Sequence, residues 1–197
     1  MSGNQTTLAC DVDSTVWDTG VRVREAVFEV TGEMLDVETV TTWTHVLETY
    51  GEQITTEIFD RALSPERVAG REPYPHAPEV IRRLQDERGI RVHFVTHYWN
   101  PDAMTPYLKP WLKENFGENV GLTVTIGDKL SILRDLGAFG MIDDRPDTLE
   151  RVAGAGLWAA TVIQPWNRKV VAENPKVHGF SDWREVLELL SHLPPAR

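Results

Sequence analysis

Cysteine is almost absent from this sequence of 197 residues, which contains only Cys10. A single cysteine excludes an internal disulfide. Because Cys10 follows Leu8 and Ala9 in an apolar run, we expect a buried structural thiol there and not a nucleophile. Long apolar stretches are missing as well, since none approaches the ~18 residues of a membrane span. Residues 1–7 are polar and uncharged and lack the apolar region of a signal peptide, so we expect a cytoplasmic protein with no membrane partner.

Positive charge is also scarce. Lys and Arg number 20 against 30 Asp and Glu, which gives a formal net charge of -10. This balance excludes extended nucleic-acid binding, which requires a basic surface. A small phosphorylated substrate is still compatible, because a bound metal ion reverses the sign of the field inside one pocket. The length fits one domain, or one domain with a modest insertion.

Short apolar runs alternate with helix-like stretches along most of the chain. Strands are predicted at 7–13, 90–95, 122–126, 139–142 and 157–163, and helices at 78–87, 103–116, 129–136, 147–153 and 181–190. Ser181 is expected to cap the last helix. The alternation predicts an α/β fold, a three-layer Rossmann-like parallel sheet with helices on both faces.

Residues 18–75 do not follow this alternation. Helical segments are predicted there at 21–30, 37–48 and 53–63. We therefore predict a small helical cap inserted after the first strand, with residues 1–17 and 76–197 forming the α/β core. A peripheral helical subdomain without a catalytic role is the alternative.

Polar side chains gather where the predicted strands end. They are Asp11 and Asp13, Thr96 and His97, Lys129, and Asp143 with Asp144. In an open α/β sheet, ligands bind beyond the carboxyl ends of the strands. The sequence therefore predicts that these side chains converge on one ligand site.

The aspartates predict a Mg²⁺ site, because Mg²⁺ prefers hard oxygen ligands. We expect Asp11, Asp13, Asp143 and Asp144 to supply them. One of Asp143 and Asp144 should complete the metal shell, while the other orients it or pairs with Lys129. An exposed Asp-Asp-Arg turn without a metal is the alternative.

Each of these residue types suits one role in phosphoryl transfer. The Asp11 carboxylate is a candidate nucleophile, and Asp13 a candidate general acid and base. Lys129 is placed to neutralise the transferred phosphoryl group, and Thr96 to donate hydrogen bonds to a phosphate oxygen. Taken singly, paired acids also cap turns, threonines cap helices, and most lysines simply lie on the surface.

In chain order these motifs resemble those of the haloacid dehalogenase superfamily of phosphohydrolases. They are Asp11-Val12-Asp13-Ser14-Thr15, the strand ending at Thr96, Lys129, and Asp143-Asp144. The resemblance implies that Asp11 is the nucleophile, Asp13 the acid and base, Thr96 the phosphate ligand, and Lys129 the charge stabiliser. It also implies a Mg²⁺ site at Asp143 and Asp144.

The second half of the chain is similar to the 5'(3')-deoxyribonucleotidase family. The similarity lies in the segments 107–117, 122–129 and 142–147. It implies dephosphorylation of nucleoside monophosphates, with aromatic side chains of a helical cap stacked on the base. The chain departs from that family's pattern at Ser14, His97 and Gly127. His97 either binds the phosphate or leaving group, or only hydrogen-bonds the neighbouring loop.

Aromatic residues are the other indication of the substrate, since base stacking contributes roughly 1–3 kcal/mol per base. The candidates lie in the insertion or just after the polar motifs: Trp17, Trp43, Tyr98 and Trp99. Trp166 either lines the same edge or packs in the core. Three further tryptophans are expected in the core: Trp111, Trp158 and Trp183.

The sequence thus predicts a Mg²⁺-dependent phosphomonoester hydrolase, a 5'-nucleotidase acting on nucleoside monophosphates through an aspartyl-phosphate. One alternative is a phosphatase acting on polynucleotide 3' ends or on another small phosphometabolite. Another is a catalytically silent protein that binds a phosphorylated ligand or a partner. The oligomeric state stays open, a homodimer included.

Overall fold

The computed structural model describes residues 6–68 and 70–192. The strands are β1 Thr7–Cys10, β2 Arg91–His97, β3 Gly121–Thr125, β4 Ala138–Ile142, β5 Trp158–Val162 and β6 Val177–Phe180. The α-helices are α1 Thr19–Thr31, α2 His45–Ala62, α3 Pro65–Val68, α4 Ala77–Arg88, α5 Pro101–Phe116, α6 Lys129–Asp135, α7 Pro146–Gly154, α8 Arg168–Glu173 and α9 Glu185–Leu189. Two 3₁₀ helices span Val37–Thr39 and Leu190–His192.

The described strands form one six-stranded sheet in the order β3-β2-β1-β4-β5-β6. All neighbouring strands pair in parallel. β1 lies between β2 and β4, where Leu8 pairs with Val92 on one side and Gly140 on the other. A central strand covered on both faces must be apolar throughout, which explains the buried run of Leu8 to Cys10.

Helices cover both faces of this sheet. Because side chains alternate along a strand, Leu8 and Cys10 point to one face and Ala9 to the other. The first face packs against α4, α5 and α9, and the second against α6, α7 and α8. This arrangement confirms the predicted three-layer Rossmann-like fold. Cys10 is buried, as expected. The three tryptophans expected in the core are buried as well: Trp111, Trp158 and Trp183.

Helices α1 to α3 lie between β1 and α4 in the chain. α1 and α2 pack against each other around an apolar cluster separate from those of the sheet. Its buried members are Ala26, Val27, Leu35, Val46, Ile58 and Ala62. Gly51 interrupts α2 with φ 75° and ψ 170°, a conformation that a residue with a side chain rarely adopts. No helix among residues 6–68 and 70–192 is long and apolar enough to cross a membrane.

The helix predicted at 37–48 is wrong. A short 3₁₀ turn covers Val37–Thr39, where the Asp36 side chain accepts a hydrogen bond from the Glu38 N–H at 3.1 Å, and α2 begins only at His45. The run Val40-Thr41-Thr42 between them is β-branched, and such residues disfavour a continuous helix.

The cap predicted at Ser181 is also wrong, because α9 begins at Glu185. Ser181 instead donates its backbone N–H to the Glu185 carboxylate at 3.1 Å. The short helices α3 and α8 and the edge strand β6 were not predicted from the sequence.

Candidate active site

The backbone of the sheet fixes two of the predicted carboxylates. The Asp11 N–H donates to the Ile142 carbonyl at 2.8 Å, and the Asp143 N–H donates to the Ala160 carbonyl at 3.1 Å. Sheet pairing therefore continues one residue beyond β1 and β4. Asp11 and Asp143 emerge from neighbouring strands at the same edge, and both are buried.

Lys129 joins these two carboxylates. Its Nζ donates to Asp143 Oδ2 at 2.7 Å and forms an ion pair with Asp11 Oδ1 at 2.8 Å. Lys129 is the first residue of α6, whose start is held by Asp128, since the Asp128 side chain accepts from the Leu130 N–H at 3.0 Å. The other oxygen of Asp143 accepts from the Arg145 N–H at 2.9 Å. Asp143 is thus the member of the Asp-Asp pair that binds the lysine.

Asp144 has a different environment. Its Oδ2 accepts a hydrogen bond from Trp166 Nε1 at 3.2 Å, whereas its buried Oδ1 has no partner among the described residues. An unpaired buried carboxylate oxygen is costly unless a cation satisfies it. One oxygen each of Asp11, Asp143 and Asp144 lies within 4.8 Å of the others. This donor set fits a Mg²⁺ ion bound through Asp11 and Asp144, with Asp143 beside them.

The charges of this cluster are unbalanced. Burial raises the pKa of Asp11 to about 7, with Lys129 acting against the shift and Asp143 adding to it. Burial likewise raises the pKa of Asp144 well above its ordinary value, and Asp11 and Asp143 add to it. Burial alone would lower the pKa of Lys129, but the Asp11 and Asp143 carboxylates outweigh it and raise the pKa. One lysine faces three carboxylates, so the site favours a further cation.

Asp13 does not join the carboxylate group that could hold a metal. Its Oδ1 accepts hydrogen bonds from Trp17 Nε1 at 2.9 Å and from the Thr19 hydroxyl at 3.2 Å. Its Oδ2 accepts from the Thr96 hydroxyl at 3.5 Å. The chain turns after Asp13 through Ser14, whose φ of 53° lies in the left-handed region. The Asp13 carboxylate therefore does not share the position next to the other carboxylates that would let Asp144 bind a metal ion. A role as general acid and base requires no contact with the metal and fits this position.

The position of Trp17 does not fit the base-stacking role that the sequence suggested. Its ring is buried, and the Arg71 guanidinium carbon lies 3.8 Å from the ring centroid. The covered face is not available for stacking on a base. Tyr98 is buried as well, and its hydroxyl accepts from Arg71 Nη2 at 3.4 Å. Sequence reasoning missed Arg71 because it lies 58 residues from Asp13 in the chain, with no motif around it.

A cavity of about 290 Å³ opens over the carboxylates. Its polar floor includes Asp11, Asp13, Thr96 and Lys129, and its walls include the predicted stacking residues Trp43 and Trp99 together with Leu47, Phe59 and Leu63. Trp43 and Trp99 are 45% and 61% exposed, so part of each side chain is accessible for contact.

Two residues that follow β4 and β5 in the chain meet Trp43 at the edge of this cavity. The Trp166 ring packs edge-on against Trp43 with centroids 6.1 Å apart, and the Arg145 guanidinium carbon lies 5.4 Å from the Trp43 centroid. Trp166 therefore lies at the edge of the site and not in the core. His97 lines the same cavity, and partial burial lowers its pKa, with Lys129 and Arg145 adding to the shift. Its neutral imidazole is thereby favoured.

No family model matches the chain, and no curated protein matches it. Solved structures do. A haloacid dehalogenase-like hydrolase from Xanthomonas campestris is 13% identical with a TM-score of 0.61, covering 94% of each chain. A putative β-phosphoglucomutase from Bacteroides vulgatus is 15% identical with a TM-score of 0.62, covering 94% of this chain and 89% of the other. CbbY from Rhodobacter sphaeroides, in complex with xylulose-(1,5)-bisphosphate, is 16% identical with a TM-score of 0.59, covering 91% and 95%.

These likenesses establish the fold. The chain has the α/β fold of the haloacid dehalogenase-like hydrolases, as the order of its motifs predicted. The three structures give no support to the closer resemblance to deoxyribonucleotidases, which stays a prediction.

Proposed function

We propose that this protein is a Mg²⁺-dependent phosphomonoester hydrolase that transfers the phosphate first to Asp11 and then to water. The observation that carries the proposal is the buried cluster of Asp11, Asp143 and Asp144 around Lys129, in which Asp144 Oδ1 has no partner among the described residues. Such a cluster is costly for folding alone, and it suits a site that binds a cation and a phosphate.

The proposed reaction has two steps. In the first, an Asp11 oxygen attacks phosphorus and the bond to the leaving oxygen breaks, while Asp13 gives that oxygen a proton. In the second, Asp13 takes a proton from water as the water oxygen attacks phosphorus, and inorganic phosphate leaves Asp11. Lys129, 2.8 Å from Asp11 Oδ1, offsets the charge of the phosphoryl oxygens, and Thr96 donates to one of them. Mg²⁺ held by Asp11 and Asp144 would add positive charge at the phosphate.

The finer proposal is that the substrate is a nucleoside monophosphate. Its support is the cavity, which the partly exposed side chains of Trp43 and Trp99 line together with the Asp11 and Asp13 carboxylates. We further propose that residues 18–75 form a cap that supplies part of the cavity wall, with residues 1–17 and 76–197 as the core. The cytoplasmic location and a homodimer stay predictions from the sequence.

Phosphate release from a substrate panel tests this function. We expect the protein to hydrolyse p-nitrophenyl phosphate and nucleoside monophosphates with Mg²⁺ and to lose that activity in EDTA, because the excess negative charge of the site then repels the phosphate. The panel should include ribose and deoxyribose monophosphates and sugar phosphates. Equal turnover of sugar phosphates would contradict the nucleotide proposal, and turnover in EDTA would contradict the metal requirement.

Replacing Trp43 by alanine tests the stacking wall. We expect KM for a nucleoside monophosphate to rise about 5- to 100-fold, the equivalent of a lost stacking contact of roughly 1–3 kcal/mol. KM for a small sugar phosphate should change little. Tyr107→Ala is the matched control, since Tyr107 is an aromatic residue that is 43% exposed on α5 and does not line the cavity. Equal changes for both substrates would show that Trp43 does not read the base.

A further inference from the structure

Arg71 is a buried cation in an aromatic slot. Its side chain is 0% exposed, and its guanidinium carbon lies 3.8 Å from the Trp17 ring centroid and 5.7 Å from that of Trp111. The Arg71 carbonyl accepts a hydrogen bond from Trp111 Nε1 at 3.0 Å, which fixes the backbone as well. Arginine faces stack well on aromatic rings, and this cation is held at one place with little freedom.

The guanidinium is directed at Asp13. Arg71 Nη1 lies 3.5 Å from Asp13 Oδ1, and Nη2 lies 3.4 Å from the Tyr98 hydroxyl, while the buried Nε has no hydrogen-bond partner among the described residues. A buried charge requires a counter-charge, and Asp13 supplies it. The pair brings the last part of the helical insertion into contact with the end of β1.

The two oxygens of Asp13 are thereby made unequal. Oδ1 faces three donors, on Trp17, Thr19 and Arg71. Oδ2 accepts from the Thr96 hydroxyl at 3.5 Å, a long and weak contact. The Tyr98 hydroxyl is a further hydrogen-bonding neighbour of the Asp13 carboxylate. Among the described residues, Oδ1 is therefore the oxygen held in place, and Oδ2 is the less restrained of the two.

We propose that Arg71 is a positioning residue for acid and base catalysis: it fixes Asp13 Oδ1, and so presents Oδ2 to the leaving group. The proposal rests on the proposed phosphatase function. It differs from a purely structural role, in which Arg71 only fills the space between Trp17 and Trp111 and affects every substrate alike.

The leaving group separates the two roles. An alkoxide needs a proton as the P–O bond breaks, whereas p-nitrophenolate leaves without one. Arg71→Met keeps an unbranched apolar chain between the two rings and removes the charge. We expect it to lower kcat/KM, which reports the step in which the leaving group departs, by about 10- to 100-fold on an alkyl phosphate such as glycerol 3-phosphate or a nucleoside monophosphate. On p-nitrophenyl phosphate we expect kcat/KM to fall by less than about threefold. Arg71→Lys should recover most of the loss, and Arg82→Met, a surface change, should lower neither.

Equal losses of kcat/KM on both classes of ester, or no loss on either, would overturn the proposal. If Arg71→Met does not fold, Arg71→Lys still decides it, because a weaker hold on Oδ1 should again affect the alkyl ester more than the aryl ester. A loss shared equally by both esters in Arg71→Lys would overturn it too.

Thermal unfolding distinguishes this failure from failure of the proposed function. Arg71→Met, Asp13→Asn and the double variant form a cycle that needs no turnover. We expect the double variant to lose less in Tm than the sum of the single losses, because each single change leaves a buried partner unpaired. Additive losses would refute the pair itself. The two failures can also be told apart when the cycle is non-additive but the wild-type protein turns over no phosphate ester. That result would refute the phosphatase function and the catalytic role of Arg71 and would still support the ion pair.

Discussion

Asp11→Asn is expected to abolish phosphate release, with a loss on the order of 10⁴-fold or more, as is usual when a catalytic nucleophile is removed. The amide oxygen of asparagine is neutral and attacks phosphorus poorly. Asp143 is not placed to replace it, since Asp143 is bound by Lys129 and by the Arg145 N–H. The measurement is Mg²⁺-dependent release of phosphate from p-nitrophenyl phosphate, which needs little help from an acid and so reports on the nucleophile.

The stability of this variant serves as its control. Burial raises the pKa of Asp11 to about 7, so the ionised carboxylate destabilises the folded state at alkaline pH. The neutral amide of asparagine has no such cost, and the variant should not have a lower Tm at that pH. Lys129 keeps its hydrogen bond to Asp143. Asp86→Asn is a matched change of an exposed aspartate on α4 and should leave activity intact. Full activity in a folded Asp11→Asn protein would refute the covalent mechanism.

Lys129→Met is expected to lower the free energy of unfolding by about 3–5 kcal/mol in the absence of metal, because it leaves buried carboxylates without their cation. Lys129 Nζ lies 2.8 Å from Asp11 Oδ1 and 2.7 Å from Asp143 Oδ2, and all three side chains are nearly inaccessible to water. Urea unfolding in EDTA measures this loss. Turnover should fall as well, because the phosphoryl charge is no longer offset.

Two further variants check the cause of that loss. Lys129→Met combined with Asp143→Asn should recover part of the stability, since one of the uncompensated charges is removed with the lysine. Lys113→Met removes a lysine paired with Glu118 at the surface, and it should cost no more than about 1 kcal/mol. If the double variant were less stable than Lys129→Met alone, the electrostatic explanation would be wrong.

The edge of the sheet was predictable because its signals are local. Apolar runs that end in Asp11, Thr96 and Asp143 determine at once where the strands lie and which side chains follow them. Parallel pairing then brings separate strand ends together without knowledge of any single contact. The sequence did not show whether Asp143 or Asp144 binds Lys129, because the two residues are of the same type. Backbone pairing and the turn after Asp143 determine which carboxylate faces the lysine.

The insertion and the chain's last third were less readable. The helix predicted from Val37 overlooked the β-branched run Val40-Thr41-Thr42, and α2 begins only at His45. The strand β6 has only four residues, Val177–Phe180, and follows a short helix, so its apolar pattern is too brief to recognise. Arg71 could not be recognised from the sequence because it acts through contacts with Asp13 and Trp17. Those residues are distant from it in the chain and lie close to it only after folding.

The sheet hydrogen bonds of Asp11 and Asp143 have a consequence for natural variation. The groups proposed for the chemistry are anchored by backbone pairing that tolerates many side chains around it. The side chains proposed for selectivity, Trp43 and Trp99, stand on connecting segments outside the regular strands and helices. If these proposals hold, substitutions in those segments would change which leaving group fits and leave the reaction unchanged. A lineage with this architecture is therefore expected to gain and lose substrates far more readily than it changes its chemistry.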